Sequence, residues 1–182
     1  MKSSLFHLRI LEQHWLEDIS PVEDLCSHGK IELVIGGQVI SRGDEEYGIS
    51  ESALALLRTL ESDHCSTHQV ADRLIFHGCG IILMMGCPIG IDWGVKHTSG
   101  TILISEIVRY ETTIERDAVH FKDMQVEVPL EDYRKEIVDF AKEAKALFSG
   151  IKKTFSDDYS REQYESFWSE YNCLFEKYSN TG

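Results

Sequence analysis

The chain has 182 residues, 42% hydrophobic and 27% charged, the proportions of one packed domain rather than of a disordered segment. Its formal net charge is −13, from 31 acids against 18 bases. That balance repels nucleic-acid phosphate and anionic membrane, so neither is expected as a partner. No apolar run approaches the ~20 residues that cross a bilayer.

Met1 to Ile10 holds an apolar stretch broken by His7 and Arg9, without a small-residue cleavage site, so no secretion signal is expected. Ser20-Pro21-Val22-Glu23 reads as an N-cap, a proline at the first helical position and a capping-box glutamate; it predicts a short helix closed by Gly29. Ile31 to Ile35 and Gln38 to Ile40 flank Gly36-Gly37, the signature of a two-residue hairpin turn. Arg42 to Gly48 is a polar loop. Ser50 then caps a helix whose Ala53, Leu56, Leu57 and Leu60 share one face.

From about residue 73 the period shifts towards two. Ile81 to Met85, with glycines on both sides, predicts a strand covered on both faces, and Gly86-Cys87-Pro88 turns the chain into the next one. There Ile89, Ile91, Trp93 and Val95 alternate with Asp92 and Lys96, which assigns Asp92 to solvent. Thr98 to Gly100 is a turn. Thr101 to Tyr110 forms a strand with Ile102, Ile104, Val108 and Tyr110 on one face, and Val119 to Val128 forms another. Short turns between consecutive strands predict an antiparallel meander over about residues 73–128. Pro129 ends the sheet. A long helix follows, with Tyr133, Ile137, Phe140, Ala144, Leu147 and Phe148 as its stripe. Ser160 to Gln163 forms a second capping box, opening a last helix striped by Tyr164, Phe167, Trp168, Tyr171, Phe175 and Tyr178. The predicted fold class is α+β: one domain over residues 1–182, a central, mostly antiparallel sheet, flanking helices and two C-terminal helices.

Chemistry is sparsely marked. Thiolate and imidazole suit a tetrahedral zinc site, and His64, His68, His77, Cys79, Cys87 and His97 supply those groups. No paired-cysteine knuckle or HExxH motif orders them, and a cysteine among Gly, Ile and Met ordinarily serves as a small hydrophobe. Cys65 or Cys79 could act as a nucleophile, with His64, His68 or His77 as base and Asp63 or Asp92 as orienter. No basic residue flanks either thiol to activate it. The glycines around Cys79 and Cys87 lack the spacing of a phosphate loop. Five cysteines at irregular spacing point to reduced thiols, hence to a cytoplasmic setting.

Charge is the better guide. Residues 1–63 carry 12 acids against 5 bases, with Asp44, Glu45, Glu46 and Tyr47 adjacent on a Gly-flanked loop. An aromatic anchor ringed by charge suits capture of a basic partner. The C-terminal aromatic stripe is core material, and would serve homo-oligomerisation if its helix were peripheral.

The sheet followed by Val128-Pro129-Leu130-Glu131-Asp132-Tyr133 and a helix containing Phe140-Ala141 resembles small bacterial toxin-immunity proteins over about the C-terminal half of the chain. The N-terminal half departs from that outline. The resemblance implies a binding protein. The expectation is thus a non-catalytic cytoplasmic protein, without cofactor, whose acidic surface neutralises a basic protein partner. The alternative is a metal- or thiol-dependent enzyme built on the His64–His97 set.

Overall fold

The computed structural model describes residues 5–66, 69–77, 87–111 and 118–180. The strand expected over Ile81 to Met85 lies outside the described residues, as do His68 and Cys79. What is described is α+β: two antiparallel sheets and three helices. The first sheet has the order β1 (Phe6–His14), β2 (His28–Ile35) and β3 (Gln38–Arg42), and β4 (Tyr47–Gly48) also pairs with β2. The helix α1 (Ile49–Arg58) follows directly. The second sheet runs β5 (Ile75–Phe76), β6 (Gly90–His97), β7 (Thr101–Tyr110) and β8 (Val119–His120), with β9 (Val126–Pro129) also on β7. Then come α2 (Leu130–Ala146) and α3 (Asp158–Ser179).

The hairpin between β2 and β3 turns on Gly36 and Gly37, whose φ angles of 58° and 82° are the pair a type I′ turn demands. In α1 the predicted stripe of Ala53, Leu56 and Leu57 is buried, with Leu60 just beyond it. The core joins all layers. Phe6 of β1 meets Trp93 of β6 at a ring-centroid distance of 6.0 Å and Tyr133 of α2 at 4.8 Å. The aromatic stripe of α3 is turned inward. Phe167 and Tyr171 are buried, the Tyr171 hydroxyl donates to Ala141 O at 2.6 Å, and Tyr178 donates to Leu60 O at 2.9 Å. No helix among the described residues is long and apolar enough to cross a membrane.

Several local expectations are corrected. Phe6–His14 is a nine-residue strand where no element was predicted. The helix expected from Ser20 is a single turn, and Gly29 lies inside β2. Asp24 points inward to accept from Leu16 N and Cys26 N, which stops the helix from continuing. Ser50 is not the cap of α1. Gly48 occupies that position, and the Ser50 hydroxyl accepts from Ser27 N instead. The expected strand over Val119 to Val128 is two short strands separated by a turn with Asp123 at φ 60°. The last helix begins at Asp158, capped by Asp157, whose carboxylate accepts from Ser160 N at 2.7 Å.

On β7 the alternation changes phase. Opposite the Asp92–Gly94 step the register shifts, and Glu106 takes φ 53°. The extra residue of this bulge brings Ile107 into the main core cluster with Ile102 and Ile104, while Val108 and Tyr110, also buried, lie outside that cluster.

Candidate functional site

The acidic loop predicted at Asp44 to Tyr47 connects β3 to β4 and lies beside the end of β1. Gly29 of β2 pairs with Gln13 on one side and Tyr47 on the other, so Glu46 can reach across to His14, 3.7 Å away. Glu46, His14, Leu16, Glu17, Asp18 and Ile19 line a cavity of about 420 Å³. Asp44, Glu17 and Asp18 are exposed, and Glu45 and Glu46 are half-buried. Tyr47 is different. It is only 1% exposed, and burial pushes its hydroxyl up to about 12, with Ser41 partly offsetting the shift. The expected surface anchor is therefore a core residue, because β4 pairing with β2 draws it under the sheet.

Beneath this face lies a buried polar cluster that the sequence does not advertise. Burial pushes the Asp24 carboxyl up, but His28 and the N–H groups of Leu16 and Cys26 outweigh it and hold it below the usual range. Lys153, from the α2–α3 connection, donates to Pro21 O at 2.7 Å and to Asp24 O. Its ammonium sits over the Trp15 ring at 3.6 Å. Burial lowers its pKa to about 8, against the opposing pull of Asp24. Burial, then Glu51 and Asp24, push the Cys26 thiol well above its ordinary value, so it is a poor nucleophile.

A second site centres on Asp92. The alternation that assigned it to solvent fails, because β6 is covered on both faces there and Asp92 is 0% exposed. Its Oδ1 accepts from His64 Nε2 at 2.8 Å and from Leu74 N at 3.2 Å. His64 is held in place by a backbone bridge to Val95, with both N–H···O distances 2.8 Å. Next to it, Asp63 accepts from His97 N at 2.8 Å and pairs with His97 Nδ1 at 2.9 Å. Those bonds hold the Asp63 carboxyl below its usual range. Arg73 is buried, donates to Pro88 O and stacks on Tyr110 with its guanidinium carbon 3.5 Å from the ring centroid.

Of the six proposed metal ligands, His68 and Cys79 lie outside the described residues. Among the described residues no group of three or more His, Cys, Asp or Glu can hold a metal ion. The thiols also divide: Cys26 is buried, Cys87 half-buried, and Cys65 and Cys173 exposed. The base–orienter combination that the thiol reading required is present as His64 and Asp92. Comparison with protein-family models, curated proteins and solved structures finds no significant match.

Proposed function

We propose that this protein acts by binding a basic protein partner through the face formed by Asp44, Glu45 and Glu46 with Glu17 and Asp18. The observation that carries the reading is the cavity of about 420 Å³ in which three carboxylates meet two apolar side chains, Leu16 and Ile19. That combination matches a long cationic side chain, whose methylenes pack on apolar walls while its head meets carboxylates. The net charge of −13 adds long-range attraction for such a partner. Tyr47 supports the loop from below rather than touching the partner. A toxin-neutralising role in a reducing cytoplasm is consistent with the charge and the free thiols.

The test is an NMR titration with a hexa-arginine peptide at low and high salt. The expected result is saturable shifts concentrated at residues 14–19 and 44–46, weakened by salt because surface charges are screened over ~8–10 Å. Shifts scattered over all acidic positions would mean non-specific charge attraction, and the reading would fall.

A further inference from the structure

His64 and Asp92 form a pair whose geometry exceeds what a structural tie requires. The Asp92 carboxylate is wholly buried and already takes two donors, His64 Nε2 and Leu74 N. An ionised carboxylate only accepts, so the neutral imidazole carries its proton on Nε2 and its lone pair on Nδ1. Nδ1 makes no hydrogen bond among the described residues. The ring is 18% exposed, and His64 lines a cavity of about 280 Å³ between the end of α1 and residues 62–64 and 71–74. A base oriented by a buried acid at the edge of a cavity is the arrangement that proton-transfer sites use.

The rest of the lining narrows the ligand. Arg58 is held by Glu170 through Nε and Nη2 at 2.6 and 2.7 Å, and its Nη1 makes no hydrogen bond among the described residues. The Ser62 hydroxyl is likewise uncommitted there. Thr59 is occupied by Leu56 O and Tyr133, and Asp63 by His97. Asp72 in the lining disfavours a ligand of high negative charge. At about 280 Å³ the cavity is just smaller than typical ligand pockets, which run ~300–1,000 Å³, so it suits only a small molecule.

We propose that this cavity binds a short hydroxy-carboxylate, with the carboxylate on Arg58 Nη1 and the hydroxyl donating to His64 Nδ1. Proton transfer along that bond breaks O–H and forms N–H on Nδ1, and the electron pair stays on the ligand oxygen. The imidazolium so formed is stabilised by Asp92 across the existing hydrogen bond. This site is separate from the acidic face and does not depend on it.

The experiment uses glycolate as the probe and acetate, which lacks the hydroxyl, as the control. Both are titrated into the full chain while the His64 ring nitrogens and the Ser62 and Leu74 amides are followed by NMR. The ring should be in the Nε2–H tautomer. Glycolate should shift these signals saturably and at least ~10-fold more tightly than acetate, a difference of about 1.4 kcal/mol. Arg58→Gln and His64→Gln, with folding checked by thermal denaturation, should each weaken glycolate by a similar factor. Indistinguishable glycolate and acetate curves, or no saturation by ~50 mM, would overturn the proposal and leave the pair as a tie between residues 62–64 and β6.

Discussion

The Nζ of Lys153 lies 3.6 Å from the centre of the Trp15 ring, so the α2–α3 connection is fastened over the segment that frames the acidic cavity. Burial holds this lysine near pKa 8, against about 10.4 in an unfolded chain. Below pH 8 both states carry the proton, and the folded state bears the full cost of a buried charge. Between pH 8 and 10.4 the folded state has released the proton and the unfolded state has not, so Lys153 raises stability as pH rises. The raised Cys26 thiol opposes this, because unfolded thiols ionise from about pH 8.5. A comparison with Lys153→Met isolates the lysine. From pH 7.5 to 10, wild type should gain ~1–3 kcal/mol relative to the variant in urea denaturation. Parallel pH profiles for the two proteins would contradict the assignment.

Trp93 joins the two sheets through Phe6 and is fully buried. Trp93→Ala should cost ~3–5 kcal/mol, a large part of a total of ~5–15 kcal/mol. A loss below ~1 kcal/mol in chemical denaturation would show that β6 does not occupy the centre of the core.

Periodicity made the interior readable. The alternation of Ile91, Trp93 and Val95, the stripe of Ala53, Leu56 and Leu57, and Tyr133, Ile137 and Phe140 all mark buried faces, because burying apolar area drives the packing. Gly36-Gly37 marked its own turn through the φ values that only glycine adopts freely. Phe6–His14 was missed because its outward residues His7, Arg9 and Glu12 make the segment look too polar for a nine-residue strand. The bulge at Glu106 broke the alternation on β7, and no residue type announces a left-handed glutamate.

The candidate sites were legible only in part. The acids of the 44–46 loop stand out by composition, but the meeting of Glu46 with Glu17 and Asp18 depends on β1, which was itself missed. Asp92 looked like an ordinary outward residue of an alternating strand. Its burial follows from loops folding over the outer face of β6, and period two carries no information about that. His64 and Asp92 are 28 positions apart, so only the fold could pair them among several possible bases and orienters.

Glu106 adopts φ 53° at the β7 bulge and is exposed. A non-glycine residue in that region carries strain of ~1–2 kcal/mol, which glycine does not bear. Glu106→Gly should therefore stabilise the protein by ~0.5–1 kcal/mol, the extra freedom of glycine in the unfolded chain taking back part of the gain. A lower denaturation midpoint with an unchanged slope would mean that the glutamate side chain holds the bulge together.

The loop between β3 and β4 separates into a foundation and a face, and two variants tell them apart. Tyr47 is buried within β4, where it pairs with Gly29 of β2, so Tyr47→Ala should cost ~3–5 kcal/mol of stability, as for other buried aromatics. Converting Asp44, Glu45 and Glu46 together to amides should move stability by no more than ~0.5 kcal/mol, since these are surface positions. The Glu46–His14 contact at 3.7 Å is a surface pair of small worth. With a basic partner in hand, the triple amide variant should associate several-fold more slowly at low salt and nearly like wild type at high salt. Stopped-flow association across a salt series measures this directly. A triple variant that melts early would place the carboxylates in the folding energetics. One that associates at the wild-type rate at every salt concentration would reduce the loop to a polar turn.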